Sequence, residues 1–176
     1  MKMKLFALIA LVPLVVIAHA QDNGFGPRIG LFLPTDSKVR DAFGSNFLNF
    51  GFGRARNGVR ASTRTDFSVI NADRNGNRLF LVPVTLVREY RLMGDMDSAT
   101  QVYGRLGAGL AYMDYALTSN GTRIADKRLG VNGNAEIGLL LTKRINVFAR
   151  YDLFNRQEGI NFSGFTVGLS YTISRF

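Results

Sequence analysis

The sequence predicts an all-β fold, an antiparallel up-and-down barrel of about eight strands, and three observations carry that prediction. Apolar side chains recur with period two rather than 3.6 along most of the chain. Short polar segments rich in Gly and Asn separate the alternating runs. The last run, "GFTVGLSYTISRF" (164–176), alternates from Phe165 to Ile173 and finishes on an aromatic residue. Chain ends fray unless something ties them down, so this run needs a pairing partner, and the first run, "GPRIGLFLP" (26–34), can supply it.

The N-terminal stretch "MKMKLFALIALVPLVVIAHA" stands apart. Lys2 and Lys4 precede an apolar segment from Leu5 to Ala18, and Ala18-His19-Ala20 is a small-x-small triplet. That is the layout of a secretory signal peptide. A retained anchor helix is the competing reading, but the apolar segment falls short of the roughly 20 residues a spanning helix needs. The domain division is therefore 1–20 signal peptide and 21–176 barrel domain, short enough for one unit. With no cysteine in 176 residues, the exported fold cannot use disulfides. Without Lys2 and Lys4 the formal net charge falls from +9 to +7, which suits anionic lipid heads or surface glycans, and export argues against a nucleic-acid partner.

The runs lie at about 25–34, 46–56, 63–73, 77–91, 99–113, 128–142, 144–154 and 162–176. Only "DSKVRDAF" (Asp36 to Phe43) reads as helix, a turn or two within the first outer connection. Asn75-Gly76 in "ADRNGNR" marks a hairpin, because Asn-Gly tolerates positive φ at both central positions. "LLLTKRINV" leaves room only for a tight turn between the sixth and seventh runs, whereas "SNGTRIADK" (119–127) reads as a longer polar loop. Pro83 in "LFLVPVTLV" removes a ladder donor, so a bulge or an unpaired position is expected there.

Each run has two faces. Leu48, Phe50 and Phe52 oppose Asn49, Gly51 and Gly53; Val102, Leu106, Ala108 and Leu110 oppose Tyr103, Arg105, Gly107 and Gly109. Leu129, Val131, Ala135, Ile137 and Leu139 oppose Gly130, Asn132, Asn134, Glu136 and Gly138. Alternation alone does not say which face is outside: a barrel in water turns the apolar face inward, a barrel in lipid outward. The polar face decides. It is rich in Gly, Ser, Thr and Asn rather than the long charged side chains of a soluble surface, and small residues suit the narrow interior of an eight-stranded barrel.

That face also carries Arg28, Arg91, Arg105 and Arg150 with Asp66, Glu89, Glu136 and Asp152. Buried charges must be paired, and equal numbers of each sign suit a filled lumen. In lipid every backbone polar group must be bonded within the protein, so a sheet spans only by closing. The predicted fold is thus a transmembrane β-barrel, with Tyr90, Tyr112, Tyr151 and Tyr171 placed for interfacial girdles.

On these residues, the phrases "VYGRLGAGLAYMDY" and "NAEIGLLLTKRINVFARYDL", and terminal Phe176, the chain resembles the small bacterial outer-membrane β-barrel proteins of the OmpX/OmpW/opacity-protein type along its whole mature length. The resemblance implies residence in the bacterial outer membrane. It also implies contact with outer-membrane lipid and recognition by the barrel-assembly machinery through Tyr171, Ile173 and Phe176. The apolar residues before Phe176 fall out of phase with it, which departs from the family's terminal pattern.

The only histidine is His19, within the signal segment. That removes Ser-His-Asp and Cys-His nucleophile systems and imidazole or thiolate metal sites. No cofactor and no catalytic residue is expected; Asp66, Glu136 and Asp152 could form a carboxylate pair for hydrolysis, but neutralising the lumen arginines is the preferred account. "GRLGAGL" (104–110) lies mid-strand with no helix after it and reads as packing, not phosphate binding. "DMD" (95–97) lacks the ligand count of a calcium loop. Arg54, Arg56, Arg60 and Arg64 cluster around the second connection and read as a solvated turn or a lipid-head contact. The function expected is a non-enzymatic structural, adhesive or surface-interaction barrel whose outer loops, about 35–46, 73–78, 114–127 and 155–161, meet the environment. A narrow channel or lateral conduit for a small hydrophobic ligand is the alternative, and a secreted soluble lipocalin-like binder is the second.

Overall fold

The computed structural model describes residues 25–54, 63–94, 100–119, 121–142 and 144–173; residues 1–20 of the expected signal peptide and Phe176 lie outside them. Eight strands follow the predicted order. They are β1 (Phe25–Pro34), β2 (Phe47–Arg54), β3 (Thr63–Arg74), β4 (Asn77–Met93), β5 (Gln101–Ser119), β6 (Thr122–Leu140), β7 (Ile145–Phe154) and β8 (Gly164–Tyr171), with helix α1 (Ser37–Phe43) between β1 and β2. Every neighbour is antiparallel, and β8 pairs with β1 from Arg28↔Ser170 to Pro34↔Gly164, so the ring is closed.

Following cross-strand partners around the ring shows how far the strands tilt. Leu81 faces Ile70, then Asn49, Gly30, Gly168, Phe148, Gly138, Tyr103 and finally Arg91, back on β4 ten residues farther along. A displacement of that size per circuit goes with strands inclined by roughly 35–45° to the barrel axis. It also fixes the heights of side chains: Leu81 belongs near α1, and Arg91 near the end where the chain enters and leaves.

The orientation of the faces follows the polar-inside expectation. Ile29, Leu31, Leu48, Phe50, Leu86, Leu106, Leu110, Leu129, Val131, Ile137, Leu153, Phe165, Val167 and Leu169 all stand exposed on the outer wall. No helix among the described residues is long and apolar enough to cross a membrane, so crossing falls to the strands. An exposed apolar belt of this extent would aggregate in water, and the soluble lipocalin-like reading fails with it.

Four expectations need correction. The loop expected at 114–127 is a hairpin: β5 runs to Ser119 and β6 begins at Thr122, with Gly121 at φ 76° in the turn. Paired backbone in two long strands thus carries residues whose polar side chains read as loop. The last run, expected from 162, is a strand from Gly164 to Tyr171, and its positions 174–176 lie outside the described residues. The connection at 73–78 narrows to Asn75 and Gly76, at φ 51° and 76°. Finally, the interior is not small and ionic throughout, because the half near α1 is apolar. At Pro83 the ladder keeps its register but pairing is missing between Phe67↔Val84 and Ile70↔Leu81, which is the unpaired alternative.

Candidate functional site

The lumen has two storeys. In the one away from α1, eight ionic side chains form a single line of alternating sign. Asp152 Oδ2 accepts from Arg150 Nε at 2.9 Å, and Arg150 Nη1 reaches Asp66 Oδ2 at 3.1 Å. Asp66 Oδ2 also accepts from Arg28 Nη1 at 3.0 Å, and Arg28 bonds Glu136 through its other terminal nitrogen. Glu136 Oε1 accepts from Arg105 Nη1 at 3.2 Å, Arg105 Nη2 lies 2.7 Å from Glu89 Oε2, and Arg64 Nη1 closes the line 3.7 Å from the same oxygen. All eight are buried.

The line stitches together six strands, β1, β3, β4, β5, β6 and β7. The other two, β2 and β8, present Gly51, Gly53, Thr166, Gly168 and Ser170 inward, and the room they leave is used. A Cβ on Gly53 would fall 2.5 Å from Asp66 Oδ1 and 3.3 Å from Arg28 Cδ. The Arg28 guanidinium also stacks on the Phe148 ring at 4.0 Å, and that ring lies over Gly168. The Tyr103 ring covers Gly138, with its hydroxyl 3.2 Å from Glu136 Oε1 and 3.1 Å from Asn146 Oδ1. Above the charges a neutral polar layer follows, where Asn134 Nδ2 donates to Thr85 Oγ1 at 3.0 Å and Asn49 Nδ2 to Thr166 Oγ1 at 2.9 Å.

Of the residues the sequence put on this face, seven meet in the line: Arg28, Asp66, Glu89, Arg105, Glu136, Arg150 and Asp152. Arg91 does not. It is exposed at the end of β4, beside the register shift between Arg91 and Met93, one full circuit below Leu81 and beyond reach of the line. Its place is taken by Arg64, which by sequence belongs to the arginine-rich second connection and in the structure stands on β3. A parity signal was available, since Arg64 and Asp66 share a face of β3.

The other storey is a plug. Phe32, Phe47, Ile70, Leu79, Leu81, Met113, Leu117, Phe154, Ile160 and Phe162 form one buried cluster with Val39, Ala42 and Phe43 of α1. Phe32 and Phe47 rings lie 5.3 Å apart, and Tyr115 and Phe162 4.8 Å apart. The helix is short, and its ends are tied. Asp36 caps it by accepting from Lys38 N at 2.8 Å, and Gly44, at φ 100°, ends it with its N–H on Arg40 O at 2.7 Å. The second oxygen of Asp36 accepts from Asn161 N at 2.9 Å, while Thr35 N and Oγ1 both donate to Ser163 O. Helix and last connection therefore close the mouth as one layer. The connection itself turns back through Glu158 and Gly159, both at positive φ, and drops Ile160 and Phe162 into the barrel.

Tyr171 and Ile173 are exposed on the outer wall near the closing strand, whereas Phe176 lies outside the described residues. No group of three or more His, Cys, Asp and Glu placed to hold a metal occurs among the described residues.

The sequence matches the outer membrane protein beta-barrel domain family over residues 5–172. No curated protein matches it in sequence. In structure it is similar to Ail, the attachment invasion locus protein of Yersinia pestis, at 13% identity and TM-score 0.56, covering 87% of this chain and 100% of Ail. Ail has also been solved in complex with the heparin analogue sucrose octasulfate. The N-terminal β-barrel domain of Pseudomonas aeruginosa OprF is similar at 13% identity and TM-score 0.54, covering 84% and 97% of the two chains. The outer membrane enzyme PagL is similar at 15% identity and TM-score 0.50, covering 85% and 98%. At these identities the likeness is one of fold.

Proposed function

The chain belongs to the outer membrane protein beta-barrel domain family of bacterial outer-membrane proteins, and we propose that within it the protein is a non-enzymatic barrel whose α1 end meets partners at the cell surface. The observation that carries this reading is the filled lumen. The ionic line occupies one storey and the apolar plug the other, which leaves the outer rim as the surface for recognition. A non-enzymatic role is supported by chemistry: the only histidine is His19 and there is no cysteine. The candidate carboxylates Asp66, Glu136 and Asp152 are buried and held by arginines. A general acid or base must reach its substrate, and these three face guanidinium groups instead.

The α1 end carries exposed Lys38, Arg40, Arg74, Arg78, Arg123, Lys127 and Arg156, a set suited to an anionic glycan. The test is retention of outer-membrane vesicles, with and without the protein, on immobilised heparin and on uncharged dextran. Protein-dependent, salt-sensitive retention on heparin alone is expected, and equal retention on both would sink the adhesive reading. Residues 1–20 are proposed as the export signal of a barrel domain spanning 21–176, and Tyr171, Ile173 and Phe176 as the part read by the assembly machinery. The channel reading makes an opposite forecast: discrete single-channel openings after reconstitution, which a filled lumen does not support.

A further inference from the structure

We infer that the wall around Arg88, near the end of the barrel opposite α1, is a binding site for an acidic phospholipid headgroup. Along the outer face of β4 the side chains from Phe80 to Leu92 are apolar or aromatic except one: Arg88 stands exposed between Leu86 and Tyr90. The other charges flanked by apolar groups on the outer wall, such as Lys127, differ from it in being paired, since Lys127 and Arg78 both bridge to Asp114. An arginine on the lipid face of a barrel costs about 2–4 kcal/mol at the bilayer midplane and little near the interface. Arg88 lies two residues from Tyr90 and four from Leu92 along β4, and its long side chain can carry the charged head toward that edge of the belt and the phosphate layer.

The surroundings fit that use. The guanidinium lies over the Tyr90 ring, 5.7 Å from its centroid, directed toward the edge of the belt. Its cross-strand neighbours are Thr63 on β3 and Leu106 on β5, and Thr63 and Thr65 give this patch hydroxyls where other strands carry large apolar groups. No carboxylate pairs with Arg88 among the described residues. The exposed charges toward this end are Arg88, Arg91 and Arg144, all cationic among the described residues; the exposed acids Asp41, Asp73 and Glu158 lie toward α1. A guanidinium with open donors, an aromatic support and a positive rim take a phosphate diester from the leaflet that touches them.

The probe is dioleoylphosphatidylglycerol mixed in equal amount with dioleoylphosphatidylcholine, offered to the intact barrel in detergent micelles, with retained lipid counted by native mass spectrometry. The wild type should retain the acidic lipid about fivefold more than the zwitterionic one, the effect of one arginine near a headgroup. Arg88→Gln should abolish the preference, Arg88→Lys should keep most of it, and Arg123→Gln at the α1 end should leave it intact. Heat-shifted gel mobility establishes that each variant is folded. Should Arg88→Gln fail to fold, the wild-type preference must collapse as salt rises toward 1 M, and persistence there overturns the site. An undiminished preference in Arg88→Gln, equal loss in Arg123→Gln, or a protein dimer lost with Arg88 would each overturn it as well. The heparin test concerns the opposite end, so the two can fail separately.

Discussion

The ionic storey and the apolar plug fill the same cylinder in opposite ways. Below, eight charges are buried, and their stability is conditional: Asp66, Glu89 and Glu136 are tolerable because two arginines stand beside each, and Asp152 because Arg150 does. Above, Phe32, Leu79, Leu81, Met113 and Phe162 need no particular partner, only contact. The difference is one of failure mode. Removing one member of an alternating line strands its neighbours, whereas trimming one member of an apolar cluster leaves a hole that others partly fill.

The variant that breaks the comparison most severely is Glu136→Ala. It strips Arg28 and Arg105 of a shared carboxylate and Tyr103 of an acceptor. Stranding buried charge costs about 3–5 kcal/mol, expected as a lowered urea midpoint for unfolding in lipid vesicles. Wild-type stability would show that water enters this storey freely. Phe162→Ala comes next, at about 3 kcal/mol for a large-to-small change in a packed site. Its signature differs in place: the connection 155–163 should become sensitive to protease while the barrel keeps its heat-shifted mobility. Simultaneous loss of both would mean that plug and barrel unfold as one unit.

The two storeys were unequally legible. The ionic line could be read because a charge at alternate positions of a strand is conspicuous, and period two assigns it a face: Arg28, Asp66, Arg105, Glu136 and Arg150 all came from parity alone. The plug could not be read that way. In "LFLVPV" (79–84) both parities are apolar or aromatic, so hydropathy assigns Leu79 and Leu81 no preference over Phe80 and Val82. Height settles it, and height depends on the tilt, a property of the closed ring that no single strand contains. The long β5–β6 hairpin was missed for a related reason. Its polar side chains, such as Arg123, Asp126 and Lys127, mimic a loop once the strands leave the apolar belt, although the backbone pairing continues through Leu117↔Ile124.

Arg64→Gln sharpens the ionic side of the comparison at the end of its line. Glu89 keeps Arg105 at 2.7 Å, so it is not left a stranded ion when the guanidinium 3.7 Å away is removed. About 1–2 kcal/mol is expected for a charged hydrogen-bonding group lost from a buried site. Asp36→Ala does the same for the plug. It removes the cap of α1 and the acceptor of Asn161 N together, and about 1 kcal/mol is expected for a lost cap, read as faster amide exchange in 37–43 with β-strand protection unchanged.

Arg91→Gln carries the smallest effect and the sharpest contrast. Arg64 and Arg91 are the same residue type on inward parities of adjacent strands, and composition cannot rank them. Their heights differ. Arg64 sits level with Glu89 and Arg105 inside the wall, whereas Arg91 stands exposed beside the register shift at the end of β4. An exposed substitution away from any partner should stay within about 0.5 kcal/mol. A loss for Arg91→Gln as large as that for Arg64→Gln would mean that the ionic line extends to the open end, and that tilt does not set which arginines the lumen holds.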